Sequence, residues 1–478
     1  MKSHSVEKIG GTSMSRTEAL LDNVLIGGRK GTDLYYRIFV VSAYGGMTDL
    51  LLEHKKSGEQ GVYSLFASAE SGWSWGDALS RVGERMIEKN ADIFTDPTAL
   101  ATADAFICER IEGVRSCLID LQRLCSYGHF QLEHHLLTVR EMLAALGEAH
   151  SAHNTALLLR QHGVKARFVD LTGWRDETQR GLDDQILHAF AEIDVALELP
   201  IVTGYAQCLP PLMQTYDRGY SEVTLSRLAV VTEAREAIIH KEFHLSSADP
   251  RIVGKDAVRV IGETNYDVAD QLSNMGMEAI HPSAAKSLRQ SDIPLRVKNT
   301  FEPDHSGTLI RSGLDADGTG VEIVTGLRGV YAFEFFEQDM VGVKGYDASI
   351  LEALKRHKVW ILFKTSNANT ITHFLKGSMK AIKRVSANLM EKFPHARIAI
   401  RKVAVISAIG RDLSGARSAA RTITVLDDAG IEPVGFHDLM RKVDLQVVVE
   451  ESDYEKTIIA MHRGLIECNS TEELRKAA

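Results

Sequence analysis

The sequence predicts an α/β protein: a sandwich of short buried strands and helices over about the first 312 residues, followed by two small α+β units. Three observations carry that expectation. Short β-rich runs alternate with helical stretches from Val6 to about Thr308, the pattern of strands layered with helices. The C-terminal part repeats itself at an offset of 73 residues. The chain is 478 residues long with 44% hydrophobic and 25% charged residues, ordinary globular composition and, at about 150 residues per domain, room for roughly three domains.

Arg37-Ile38-Phe39-Val40-Val41, Ala166-Arg167-Phe168-Val169 and Pro200-Ile201-Val202-Thr203 read as buried strands. Residues 64–160 are mostly helical by pattern, with Leu118, Leu121, Leu124 and Cys125 on one stripe, so this section is expected to cover one side of the sheet. The polar, Gly-rich stretch from Ser306 to Gly320, with Asp315-Ala316-Asp317-Gly318, reads as a linker. In the repeat, Asp339, Met340 and Gly342 fall on Asp412, Leu413 and Gly415; Phe333 falls on Ile406, Ile350 on Ile423 and Phe363 on Phe436. Each copy reads strand, Gly-containing loop, helix, strand, strand, helix. Two copies are too few for a solenoid, so the two units are expected to pair their sheets side by side.

The 55 Lys+Arg against 64 Asp+Glu give 55 − 64 = −9, and no Lys/Arg block of five or more occurs, which argues against a nucleic-acid or anionic-membrane binder. No run approaches the ~18 apolar residues of a membrane helix, and the first residues lack the apolar stretch of a signal peptide. Five cysteines without a C-x-x-C pair fit reduced thiols, and the expected compartment is the cytoplasm.

Three segments can carry chemistry. In Lys8-Ile9-Gly10-Gly11-Thr12-Ser13 a short strand ends in glycines before a helix, which lets backbone N–H groups approach a phosphate while Lys8 offers its ammonium. The competing reading is a turn capped by Ser15, with Glu18 completing a capping box. It is not a Walker A loop, because Gly254-Lys255 is followed by Asp256, and no strand-bounded G-x-G-x-x-G is present. Val41-Ser42-Ala43-Tyr44-Gly45-Gly46-Met47-Thr48-Asp49 repeats the design, with Thr48 also readable as an N-cap. Asp217-Arg218-Gly219-Tyr220-Ser221-Glu222 sets an Arg suited to bidentate carboxylate binding before a helix, although a solvated turn is the commoner fate of such residues. Glu148, His150 and His153 suggest a metal cluster only weakly; a helix face packed on the sheet is the better reading, and no metal ligands are assigned.

Together with Gly147-Glu148, Asp249-Pro250-Arg251 and His281-Pro282, these segments resemble the aspartokinase family in the same order along nearly the whole chain. The opening Lys8 to Ser13 is similar to that family's K-F-G-G-T-S, Arg218 to Glu222 is similar to its R-G-G-S-D, and the tandem C-terminal units resemble its paired ACT domains. The Glu7-to-Met14 stretch further resembles the branch associated with synthesis of the osmolyte ectoine. The resemblance implies an amino-acid kinase (carbamate kinase-like) three-layer sandwich over 1–312, a linker at 313–327, and ferredoxin-like ACT domains at 328–395 and 396–478. It implies transfer of the ATP γ-phosphoryl group, with Mg²⁺, to the side-chain carboxylate of L-aspartate. Lys8 would stabilise the phosphoryl group and Glu222 would orient Lys8. Gly10, Gly11, Thr12 and Arg251 would serve the nucleotide, and Ser42, Thr48, Glu148, Arg218 and Ser221 would bind aspartate, with Glu148 on the ammonium.

The sequence departs from that pattern in several places. Glu222 stands for an aspartate, Tyr220 for a glycine, and His240-Lys241-Glu242-Phe243-His244 for a T-D-V-like segment. Glu278 stands where the family has a phosphate-side lysine. The loop from Met340 to Gly345 would hold a small amino-acid effector, but Val359-Trp360-Ile361-Leu362-Phe363 lacks the acidic residue that helps relatives hold lysine or threonine. A homodimer or higher homo-oligomer through the ACT-like units is implied. The alternatives are a non-catalytic amino-acid or nucleotide sensor that keeps the kinase shell, and a kinase of the same fold acting on another substrate such as glutamate.

Overall fold

The computed structural model describes residues 4–468 apart from 55–56, 69–71, 217–218, 278–279, 315–319, 415 and 439. The chain divides into two compact units, Met1–Leu245 with Ile280–Ser312, and Ser246–Ala279 with Gly313–Ala478.

Seven strands build the first unit's sheet: β1 (Ser5–Ile9), β2 (Arg37–Val41), β3 (Ala166–Val169), β4 (Leu199–Thr203), β5 (Glu236–Lys241), β6 (Leu295–Asn299) and β7 (Thr308–Arg311). Their order is β3-β4-β2-β1-β5-β6-β7. All pairs are parallel except β6 with β7. Strands β2 and β4 are buried along their whole length, as parallel strands covered on both faces must be. The polar stretch read as a linker contains a strand, antiparallel to β6, in which the buried Thr308 and Ile310 alternate with the half-buried Leu309 and the exposed Arg311.

The helical section resolves into Val62–Ser68, Gly72–Ile93, Pro97–Cys125 and Leu136–Gln161. Asp96 starts the third by accepting the Ala99 N–H at 2.8 Å. The expected stripe holds at Leu118, which is fully buried, and fails at Leu124, which is 49% exposed where the helix runs out past the core. The last helix lays Ala152, Ala156 and Leu159 against Phe39, Leu199 and Ile201 of the sheet.

In the second unit, β8 (Ile323–Phe336), β9 (Trp360–Ser366), β10 (Thr370–Lys376), β11 (Arg397–Ile409), β12 (Gly435–Asp438) and β13 (Asp444–Glu450) form one antiparallel sheet in the order β9-β10-β8-β11-β13-β12. The long strands β8 and β11, the first of each repeat, are its central pair, so the repeats do join side by side. Phe333 and Ile406 are equivalent and both fully buried. The helices differ: Ile350 is buried on Tyr346–Arg356, whereas Ile423 on Ala416–Asp428 is 54% exposed. Gly415, paired with Gly342 in the repeat, lies outside the described residues. The sheet curls so far that Phe363 of one edge strand stacks on His437 of the other, ring centroids 4.7 Å apart.

Candidate functional site

Strand β1 lies between β2 and β5, and the chain passes to one side of it early and to the other side late. In open parallel sheets such a crossing, at the carboxyl ends of the strands, is where ligands bind. Lys8 sits near that end of β1, and the two glycine loops meet just beyond it. The Ser42 N–H donates to Ile9 O at 3.2 Å, and a Cβ on Gly11 would stand 2.7 Å from Ala43 O, so only glycine permits this approach. Ser15 ties the loops together, donating its hydroxyl to Gly11 O (3.1 Å) and accepting the Gly45 N–H (2.8 Å). It does not cap the next helix: Arg16 occupies the cap of Thr17–Leu20, without a side-chain bond. Thr48 likewise sits inside the helix Met47–Leu51, whose N-cap is Gly46 in the left-handed region.

Two buried carboxylates flank this edge. Glu148, on the helix Leu136–Gln161, is 2% exposed. Burial raises its pKa to about 8, against the opposing pull of Lys8 and the backbone N–H groups of Tyr205 and Ala43. Its Oε2 has no hydrogen-bond partner among the described residues. Nearby, the Ser42 and Ser221 hydroxyls lie 3.2 Å apart, and Ser151 donates to Ser42 O at 2.9 Å. Gly204, after β4, makes the convergence possible: a Cβ there would stand 2.6 Å from Ser221 Cβ, 2.8 Å from Glu148 Oε2 and 2.9 Å from Val41 O. Sequence reading missed Gly204, since a single glycine after a strand carries no motif.

Glu222 is in the first turn of the helix Tyr220–Val231. Its Oε1 lies 3.4 Å from Lys8 Nζ and its Oε2 accepts the His281 N–H. Burial pushes its pKa up, but Lys8, Lys241 and the His281 N–H together hold it below the usual carboxylate range. On the other face of β1, Glu7 is enclosed by Arg37 (2.9 Å), His240 (2.7 Å) and Ser5 (2.8 Å), and Arg37 also donates to Val24 O and Leu25 O. This buried network anchors β1 to both neighbouring strands directly beneath Lys8. Glu242, at the end of β5, accepts the Ser13 hydroxyl at 2.8 Å, and Ser13 accepts from Thr300.

The structure thus brings together Lys8, Gly10, Gly11, Ser42, Glu148, Ser221 and Glu222. Thr12 is exposed on the short helix Gly11–Met14 and Thr48 is half-buried. Arg218 and Glu278 lie outside the described residues. Arg251 belongs to the second compact unit, with a side chain 87% exposed and paired with Asp249. In the same unit Met340 is part of the first repeat's core, and Gly345 is the left-handed N-cap of Tyr346–Arg356. The histidines of the helix Leu136–Gln161 are structural: His150 bonds Asn90 at 2.7 Å, and His153 stacks on Phe106. Among the described residues no group of three or more His, Cys, Asp or Glu side chains is arranged to hold a metal ion, and no helix is long and apolar enough to cross a membrane.

A parallel sheet with a glycine-loop lysine and buried carboxylates at its carboxyl edge defines a phosphotransferase fold, and the model of the amino acid kinase family matches residues 5–299. The chain is 52% identical, over 99% of its own length and 100% of the relative's, to aspartate kinase Ask_Ect of Stutzerimonas stutzeri (strain A1501). It is 23% identical to the chloroplastic aspartokinase 1 of Arabidopsis thaliana, over 98% of this chain and 81% of that one. Among solved structures, E. coli aspartokinase III in complex with lysine and aspartate superposes with a TM-score of 0.73 at 18% identity, covering 97% of this chain and 100% of that one. The same enzyme with aspartate and ADP gives 0.68 at 19% identity, covering 97% and 99%. The chain belongs to the aspartate kinase family.

Proposed function

We propose that this chain transfers the γ-phosphoryl group of ATP to the side-chain carboxylate of L-aspartate, giving 4-phospho-L-aspartate and ADP. The observation that carries the reading is Glu148 Oε2, without a hydrogen-bond partner among the described residues and buried beside the Ser42–Ser221 pair at the edge where Lys8 emerges. A buried carboxylate oxygen without a partner is costly unless a ligand completes it, and the ammonium of an amino acid does so. The substrate carboxylate, with an ordinary pKa near 3.9, is already ionised at neutral pH, so no general base is needed. One of its oxygens forms the new bond to the γ-phosphorus as the bond to the β-phosphate bridging oxygen breaks, and ADP leaves with that electron pair. What the protein supplies is position and charge. Glu148 fixes the ammonium, the Ser42 and Ser221 hydroxyls hold the amino acid, and Lys8, aimed by Glu222, meets the transferring phosphoryl group. By resemblance, Arg218 takes a substrate carboxylate.

Mg²⁺ neutralises nucleotide charge and in such enzymes is held by one or two carboxylates together with the phosphates. Glu242, bonded to Ser13 at the sheet edge, is a carboxylate fit to share it. The likeness of the opening segment to the ectoine-associated branch, and the relative named Ask_Ect, support a product that feeds ectoine synthesis. The enzyme works in the cytoplasm, where ATP is supplied, as a homo-oligomer joined through its second unit; light scattering on the full chain checks the assembly.

The test is hydroxamate trapping of the acyl phosphate with Mg²⁺-ATP and L-aspartate, beside Lys8→Ala. Aspartate-dependent hydroxamate that falls by about 10²- to 10³-fold in the variant is the expected result. Folded protein that binds nucleotide but forms no hydroxamate would instead make it a sensor, and product from glutamate in preference would change the substrate.

A further inference from the structure

We infer that Thr224 is a positioning residue of this enzyme: its hydroxyl orients the Gly204–Tyr205 peptide so that the Tyr205 N–H meets Glu148, the receptor for the substrate's ammonium. The inference rests on the kinase reading above. Thr224 lies on the helix Tyr220–Val231, one turn beyond Ser221, and is fully buried. A threonine in a helix ordinarily donates to the carbonyl four residues back in the same helix. Thr102, Thr155, Thr422 and Thr424 of this chain do so at 2.8, 2.7, 2.8 and 3.0 Å. Thr224 differs. Its short bond, 2.6 Å, crosses to Gly204 O in the turn after β4, and the contact with its own helix, at Tyr220 O, is stretched to 3.2 Å.

Gly204 O and the Tyr205 N–H belong to one planar trans peptide and point in opposite directions. The carbonyl takes the Thr224 proton, and the N–H on the other side faces the Glu148 carboxyl. A hydrogen bond on the carbonyl also polarises the N–H of the same peptide and strengthens it as a donor. The bonds on either side do not fix this plane, because they fall on the neighbouring peptides: the Gly204 N–H donates to Val41 O at 3.0 Å, and the Thr203 hydroxyl donates to Tyr205 O at 2.9 Å. Nor does residue 204 fix it. A Cβ there would stand 2.6 Å from Ser221 Cβ and 2.8 Å from Glu148 Oε2, so the position must be glycine, whose backbone is the least restrained. Space demands the residue that holds its own peptide worst, and Thr224 supplies the missing hold.

The experiment compares the full-length parent with Thr224→Val, Thr224→Ala and Thr224→Ser in two measurements. Amide hydrogen exchange resolved at Tyr205 needs no ligand: the Val and Ala variants should exchange there about fivefold faster or more, the loss of one hydrogen bond, with the Ser variant near the parent. Calorimetry with L-aspartate should give a Kd about 10-fold weaker in the Val and Ala variants and within about twofold of the parent in Ser, while Mg²⁺-ADP binding stays within about twofold throughout. With that N–H turned away, and Lys8 and the Ala43 N–H still acting on Glu148, its carboxyl keeps the proton to a higher pH. The pH below which aspartate binding weakens therefore moves up, which a general loss of stability would not produce. Unchanged Tyr205 exchange in a folded Val or Ala variant, or an aspartate Kd within about twofold of the parent's whatever the exchange, overturns the inference. A parent that binds no aspartate sinks the kinase reading, and Tyr205 exchange then still decides whether Thr224 holds this peptide.

Discussion

The two buried carboxylates of the kinase edge occupy surroundings of similar dryness and have opposite fates. Around Glu148 the backbone N–H groups of Tyr205 and Ala43 face the carboxyl, Oε2 has no hydrogen-bond partner among the described residues, and burial lifts the pKa to about 8. Around Glu222 both oxygens are engaged, one by Lys8 and one by the His281 N–H, and the pKa falls. The difference shows which group is finished by the fold and which is left for a ligand. A carboxylate already paired with a cation organises that cation, whereas a carboxylate with an orphan oxygen is a receptor.

Breaking the finished side has the larger effect. Glu222→Ala leaves the Lys8 ammonium without its partner in a buried place, which costs about 3–5 kcal/mol of stability by chemical denaturation. It also lets Lys8 wander, so kcat falls by about 10²-fold or more. A variant as stable and active as the parent would show that Lys8 needs no orienting group.

On the receptor side, Glu148→Gln keeps the shape and removes the charge. The aspartate KM should rise by about 10- to 100-fold, the loss of one charge-assisted hydrogen bond, with the KM for ATP unchanged. Stability should move the other way. A carboxyl whose folded pKa is raised above its ordinary 4.5 holds its proton in the folded state while the unfolded chain ionises, so the parent loses stability as pH rises from about 4.5 to about 8. The glutamine does not, and its melting temperature at pH 8 should exceed the parent's. A melting temperature below the parent's at that pH would mean that Glu148 is a structural ion.

The same pKa gives a subtler signature. Below about pH 8 Glu148 must release its proton before it can receive an ammonium, so aspartate Kd should rise by about tenfold per pH unit as pH falls below 8. Calorimetry in buffers of different ionisation enthalpy should detect the released proton. Glu222 contributes in the other direction: its depressed pKa stabilises the protein above its ordinary 4.5, and that stability is lost as pH falls through the lower folded value. A flat aspartate affinity between pH 6 and 8 would place the ammonium elsewhere.

Much of this comparison was legible in the sequence, and the reasons it was incomplete are physical. Strands β2 and β4 announced themselves as short β-branched and apolar runs because both faces are buried, and β3 did so although Arg167 and Phe168 are only half-buried. The repeat was visible because β8 and β11 do the same work at the centre of one sheet. Strand β7 was hidden because it is four residues long, buries only Thr308 and Ile310 fully, and reads as polar. The motif around Lys8 pointed to a site through glycines and a lysine local in sequence. Nothing local says that Gly204 would admit Glu148 and Ser221 to one pocket, or that Ser15 would tie two loops instead of capping a helix; those contacts join different elements, as far apart as Glu148 and Ser221.

The second unit gives the smallest expected effect, and it sharpens the contrast from outside the kinase edge. The loop expected to hold an effector ends at Gly345, the left-handed N-cap of the helix Tyr346–Arg356, but Met340 is packed into the repeat's own core beside Phe333 and Phe335. The facing strand β9 opens with Trp360 and Ile361 and carries no carboxylate itself, and Asp347, two residues after Gly345, is already paired with Lys364 of that strand. Glu148 supplies that group at the kinase edge, whereas here Asp347 is held by Lys364. Calorimetric titration with lysine and with threonine, singly and together, should therefore give no saturable heat at millimolar concentration, and neither should shift the aspartate KM by more than about twofold. Differential affinity for two states is what feedback requires, and a carboxylate already neutralised by a lysine supplies little of it to those amino acids. Saturable heat with either one would show that backbone groups of the loop suffice, and would restore lysine or threonine as an effector.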